Sequence, residues 1–133
     1  MKKIIAATLL FPFLTFASPG LSQVVIDFQS QPTKQQLIQI AESATRDKNY
    51  STALRVANNA LKLFPNLAAA YYCRAIAFYN LGKPEVARLD FEQAKKLYLN
   101  QLKDANISTQ EKNEARVKLE KVERQLKLLK PSL

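Results

Sequence analysis

The chain of 133 residues contains no histidine, one cysteine and two glycines. Without histidine it lacks the commonest general base near neutral pH and a principal metal ligand. The glycines, Gly20 and Gly82, are too isolated to build a loop that cradles phosphate. Cys73, being alone, can form no internal disulfide. It reads as a small buried hydrophobe, with pairing between two chains as the alternative. No imidazole activates its thiol, and serines such as Ser43 and Ser51 have no base in a recognisable motif. Acidic residues are spread singly along the chain, where solvated or paired roles are the default. No catalytic residue, metal site or cofactor is expected, although carboxylates far apart in sequence can still meet in space.

A long apolar run is missing as well. Met1-Lys2-Lys3 followed by the mostly apolar stretch from Ile4 to Phe16 reads as a secretory signal peptide spanning residues 1–22. The stretch is shorter than the roughly 20 apolar residues that span a bilayer, and Pro12 weakens a helix further, so an anchor is the lesser reading. Small side chains at Gly20 and Ser22 suit cleavage before Gln23, with cleavage after Ala17 as the rival. No cysteine lies near either position to carry a lipid. The expected address is extracytoplasmic, in a periplasm, another envelope lumen or the exterior.

What remains, from Gln23 to Leu133, is long enough for one domain with a modest core. Removing Lys2 and Lys3 lowers the net charge from +9 to +7, which favours anionic partners without specifying a fold. Nucleic acid is not expected, because an exported chain rarely meets it.

Residues 23–32 carry Val24-Val25-Ile26 and Phe28 without a helical period, and read as an N-terminal tail, with a partner-docking strand as the alternative. Thr33 and Gln36 then have capping-box spacing. Behind them Leu37, Ile40, Ala41 and Ala44 recur at three and four residues as the inward stripe of a first helix, which should end near Asp47 to Asn49. A second helix from about Ser51 directs Ala53, Leu54, Ala57, Ala60, Leu61 and Phe64 inward and stops at Pro65, because proline pushes the residue before it out of helical geometry. The third, about Leu67 to Leu81, carries Tyr71, Ala75, Phe78 and Tyr79 and closes on Gly82. Pro84 starts the fourth, which buries Ala87, Phe91, Ala94, Leu97 and Tyr98 and should run to about Ala105.

Ser108 and Glu111 form a second capping box. Ala115, Leu119, Val122, Leu126 and Leu129 follow as an apolar seam on a charged helix, about 109–130. Glu114 with Lys118, Glu120 with Arg124 and Glu123 with Lys127 are spaced for ion pairs within that helix, each worth about 0.2–0.5 kcal/mol. One dry side and one wet side suit a helix that seals the end of a stack. A coiled-coil strand for dimerisation is the alternative.

Two stretches separated by a constant offset share a small-residue pattern: Ala41, Ala53, Ala60, Lys62 and Leu63, then Ala75, Ala87, Ala94, Lys96 and Leu97, with Phe64 and Tyr98 closing each. The run Tyr71-Tyr72-Cys73-Arg74-Ala75 through Phe78 and Leu81-Gly82-Lys83, with Ala87, Asp90-Phe91 and Ala94, resembles a tetratricopeptide repeat. The period of that family, about 34 residues of paired helices, is the offset between the two stretches. The earlier copy, about 34–67, matches less completely through Tyr50, Ala53, Ala60 and Pro65. It has Ala44 and Ala57 where the family commonly has larger residues, and Lys48 in place of a glycine. The second copy is about 68–101. The resemblance implies an all-α fold, a short right-handed superhelix of two antiparallel helix pairs plus a C-terminal capping helix. Alanines let the axes approach closely, and Tyr50, Phe78 and Phe91 fill the gaps. Two copies are fewer than the three usually needed, so the last helix or a partner must supply buried surface.

In that family the first helix of each pair lines a concave groove for a peptide or helix. The resemblance therefore implies a peptide-binding surface at Ile38, Glu42, Thr45 and Arg46 from the first copy and Tyr72, Ile76, Tyr79 and Asn80 from the second. Tyr72 and Tyr79 would anchor an apolar part of the partner, with Asn80 and Arg46 bonding to its backbone or a carboxylate. The alternative is that Ile76 and Tyr79 pack on the terminal helix. Some family members clamp a terminal carboxylate with lysines and asparagines, but Ile38, Glu42, Tyr72 and Ile76 stand at those places here. The expected function is an exported scaffold that binds a protein or peptide and assists assembly. Lys95 to Leu133, with ten basic and five acidic residues, offers the alternative of attachment to an anionic envelope surface, and self-association as a homodimer through the last helix is a third.

Overall fold

The computed structural model describes residues 31–130, so the expected signal peptide over 1–22, most of the expected tail over 23–32 and residues 131–133 lie outside the described residues. Among the described residues there are five helices and no strand: α1 (Lys34–Arg46), α2 (Tyr50–Leu63), α3 (Ala68–Asn80), α4 (Pro84–Lys103) and α5 (Thr109–Leu128). None of them is long and apolar enough to cross a membrane. Lys34 and Ala68, which start α1 and α3, are as far apart in the chain as Tyr50 and Pro84, which start α2 and α4. That interval is also the one between the two alanine patterns, so the sequence period is the structural period. Each helix packs on the next through a short turn, and α1 also packs on α3, which sets the two antiparallel pairs side by side.

Local chemistry explains the boundaries. Thr33 and Ser108 both form complete capping boxes, with Gln36 and Glu111 answering at the third helical position. Asn49 caps α2 by accepting from the Thr52 N–H. Pro84 opens α4, where its missing N–H leaves nothing unpaired. The ends of α1 and α3 share one motif. Lys48 and Gly82 have φ of 60° and 81°, and each turn is closed by two backbone bonds, Lys48 N–H to Thr45 O and Asn49 N–H to Ala44 O, then Gly82 N–H to Tyr79 O and Lys83 N–H to Phe78 O. Helix α4 ends slightly short of the expected Ala105. The Asp104 carboxylate accepts from the Asn106 N–H at 2.8 Å, an Asx turn that competes with another helical bond.

The core is built mainly of alanine. Ala44, Ala53 and Ala77 form one cluster, with Tyr50 and Leu54 against it. Leu37, Ala41, Val56, Ala60, Leu67, Ala70 and Cys73 form another between α1, α2 and α3. A third joins Ala68, Ala75, Ala87, Phe91, Ala94 and Tyr98 to Ala115 and Val122 of α5. Phe91 is the largest fully buried side chain, a burial worth about 1.5–3 kcal/mol. Helix α5 therefore supplies the apolar surface that two pairs alone leave open, and Leu119, Leu126 and Leu129 extend its seam. Ile40 departs from expectation. It is 49% exposed, because α1 packs on α2 and α3 and no described helix covers its flank.

The ion pairs depart more. Only Glu120–Arg124 forms as the spacing within α5 predicts. Lys118 reaches Glu42 on α1 at 2.8 Å, Glu123 reaches Lys95 on α4 at 3.0 Å, and Glu114 accepts instead from Gln110. Neighbouring helices offer partners that an isolated helix lacks.

Candidate functional site

Positions three and four apart share a helix face, so Ile38, Glu42 and Thr45 form one row on α1, and Tyr72, Ile76 and Tyr79 one row on α3. Helix α5 supplies a third wall. Between them lie two hollows. The smaller, about 300 Å³, is lined by Glu42, Thr45 and Arg46 of α1, Tyr72 and Cys73 of α3, and Lys118 and Lys121 of α5. The larger, about 840 Å³, includes Lys34, Ile38 and Glu42, the start of α3, the end of α4 from Gln93 to Asp104, and Glu111, Glu114 and Lys118 of α5. Glu42 and Lys118 line both hollows, and their ion pair crosses the groove between them.

Of the eight expected positions, Ile38, Glu42, Thr45, Arg46 and Tyr72 line these hollows, whereas Ile76, Tyr79 and Asn80 line neither. Ile76 is half-buried against the cluster that contains Ala115 and Val122, while Tyr79 stands 48% exposed. The alternative of packing toward the terminal helix thus describes Ile76 and not Tyr79. The Asn80 amide donates to its own helix at Ile76 O, 2.8 Å away, and the Thr45 hydroxyl donates to Ala41 O at 2.7 Å. Tyr72 is half-buried, its ring edge-on to Phe91 with centroids 5.8 Å apart.

Burial dominates the electrostatics of the groove floor. It pushes the Cys73 thiol up to about 11, against a smaller opposing effect of the neighbouring Thr45 hydroxyl. Tyr72 and Tyr98 are raised first by burial and then by the nearby Cys73 and Glu42. Tyr98 is only 3% exposed, lines the larger hollow, and its hydroxyl has no hydrogen-bond partner among the described residues. Arg46 and Lys121 are exposed and make no ion pair with any described residue.

The resemblance pointed only to the first helix of each pair and so missed Tyr98, Lys118 and Lys121. Tyr98 had a legible signal, since the matching place in the first copy is Phe64, and the added hydroxyl is the difference. Lys118 and Lys121 had none, because the position of α5 across the groove follows from packing.

Over 85 residues, 61% of the chain, the sequence is 36% identical to a tetratricopeptide repeat and J domain-containing co-chaperone of Cryptococcus neoformans var. grubii. The chain spans 16% of that protein's length. No family model matches the chain, and no solved structure matches it.

Proposed function

We propose that this chain is an exported helical-repeat scaffold that holds a segment of a partner protein in the groove between α1, α3 and α5 and so assists its assembly. The observation that carries the reading is the convergence of Tyr72, Arg46 and two lysines of α5 on one concave surface beside a half-buried aromatic floor. Tyrosine and arginine, of which Tyr72 and Arg46 are the instances here, are among the usual anchors of protein binding. Similarity to a repeat-containing co-chaperone supports the same class of function. Export rests on residues 1–22, and mass spectrometry of the N-terminus in fractionated cells tests it.

The groove is tested by a photo-crosslinking residue placed at Lys121, with Leu89 as a control, since Leu89 is 59% exposed on α4 and lines neither hollow. Adducts with a defined protein from Lys121 alone support the reading. Equal yields of the same adducts from both positions overturn it.

A second reading, self-association or attachment to an anionic envelope surface through α5, has one observation in its favour. Val117 and Leu128, 55% and 71% exposed, share a face with Lys121 and Arg124. Sedimentation at several concentrations tests the first form, and salt-dependent binding to anionic vesicles the second.

A further inference from the structure

Helix α5 carries an exposed strip opposite its buried seam. Val117, Lys121, Arg124 and Leu128 step by four, three and four residues, a line about 16 Å long on the side away from Ala115, Leu119, Val122 and Leu126. Leu128 is the most exposed large apolar residue among the described residues, and Val117 is more than half exposed. Charge is uneven along the helix. In its first half Glu111 and Glu114 balance Lys112 and Arg116, whereas from Lys118 to Lys130 five basic residues stand against Glu120 and Glu123. Those two carboxylates are already matched, by Arg124 and by Lys95 of α4, and Lys118 is taken by Glu42. Lys121, Lys127 and Lys130 are exposed and make no ion pair with any described residue.

Resting on the second reading above, attachment through α5, we infer that this strip seats on an anionic lipid bilayer, with Leu128 and Val117 entering the headgroup region and Lys121, Lys127 and Lys130 pairing with lipid phosphates. Apolar side chains set among cations suit a helix that lies along such a surface. A soluble or cell-wall polyanion offers the charge without an apolar phase to receive Leu128. A second copy of the chain offers the reverse. A two-fold axis would set the strip against itself and bring like charges face to face, and two apolar side chains fall far short of the area that a stable dimer buries. The seam of α5 stays packed on Phe91 and Ala94 throughout, so seating disturbs no core contact. Lys121 also lines the smaller hollow, which places that end of the groove beside the headgroups.

The test exploits the absence of tryptophan from the chain. In the full chain Leu128→Trp gives a single probe on the strip, and Leu63→Trp gives a control on α2, which packs on α1 and α3. Each is mixed with phosphatidylcholine vesicles, with or without phosphatidylglycerol, whose acyl chains carry bromine as a quencher. Leu128→Trp should shift to the blue and be quenched on vesicles containing phosphatidylglycerol alone, and salt raised to about 0.5 M should reverse both effects. The control should show neither. In cosedimentation, Leu128→Ser should weaken binding to the anionic vesicles about three- to tenfold, and Lys127→Glu with Lys130→Glu about tenfold or more. All three side chains are exposed, so melting temperatures should stay at the parent value.

Equal quenching at both probe positions, or equal quenching on zwitterionic vesicles, overturns the proposal, since a membrane contact elsewhere in the chain would then account for binding. Salt-sensitive cosedimentation without quenching of Leu128→Trp overturns the seating of the strip and leaves attachment to an anionic surface standing. Binding of soluble polyglutamate as tightly as vesicles, with Leu128→Ser indifferent, assigns the strip to an acidic polymer and overturns the lipid contact. No cosedimentation with anionic vesicles overturns both the proposal and the reading on which it rests.

Discussion

Lys118 Nζ lies 2.8 Å from Glu42 Oε1, joining the last helix to the first across 76 residues of sequence. Both side chains are more than a third exposed, so water screens the pair and its net contribution should be about 0.2–1 kcal/mol. We predict that Glu42→Gln, Lys118→Gln and the double variant unfold within about 1 kcal/mol of the parent in a denaturant double-mutant cycle. A coupling energy several times larger would mean that the pair holds α5 in place and does not merely cross the groove.

Lys48 and Gly82 occupy equivalent places with positive φ, yet only one is glycine. A non-glycine residue there costs roughly 1–2 kcal/mol, partly offset by the greater unfolded-state freedom of glycine. Lys48→Gly should therefore stabilise by about 1 kcal/mol. Gly82→Ala should destabilise by a similar amount, through backbone strain alone, because a Cβ at Gly82 would meet nothing within 4 Å. Urea midpoints for the two variants should move in opposite directions.

Arg74 grips the buried Asp90 with two bonds of 2.7 and 2.8 Å, and a third bond reaches Asn58 Oδ1. Three helices, α2, α3 and α4, are tied at this point. Asp90 is 6% exposed, so Arg74→Ala strands a carboxylate away from water. The loss should be about 2–4 kcal/mol, somewhat under that of a fully enclosed pair because Arg74 is partly solvated. Replacing both residues with leucine should recover much of it, and thermal unfolding of the single and double variants measures the difference.

Ala87 has no exposed surface and sits in the cluster with Ala75, Phe91 and Ala94. Ala87→Leu should overpack that contact and lower stability by about 1–3 kcal/mol. An unchanged melting temperature would contradict the close approach of α3 and α4.

The buried Cys73 thiol is held neutral, its pKa raised from 9.0 to about 11. The unfolded chain therefore loses this proton first as pH rises. The stability linked to Cys73 is fully present below about pH 9 and is lost as pH climbs towards 11. Tyr72 and Tyr98, also raised, act in the same direction at still higher pH. Compared with the parent, Cys73→Ala should lose less stability between pH 9 and 11 in urea titrations. Identical losses would show that the thiol does not titrate differently on folding.

Helix positions, the two capping boxes, the turn at Gly82 and the proline start at Pro84 were legible because each depends on a few adjacent residues. The repeat itself was legible because the alanine pattern of Ala41, Ala53 and Ala60 recurs at one fixed interval as Ala75, Ala87 and Ala94. The α1 row and Tyr72 followed from helical spacing and the resemblance. The ion pairs were not, since Lys118 has Glu114 four residues away in its own helix and yet pairs with Glu42, which is distant in the chain. Asp90 likewise gave no sign of its depth or of its grip on Arg74.

The sequence by itself determined where helices begin and end and which face of each is apolar, because backbone capping and hydrophobic periodicity act within one or two turns. Only the tertiary structure decided what those faces meet. Packing of α5 against Phe91 and Ala94 carries Lys118 and Lys121 over the first helix, divides the groove at Glu42, and buries the Tyr98 hydroxyl without a hydrogen-bond partner among the described residues. Such contacts depend on helix placement in three dimensions, which short-range spacing does not encode.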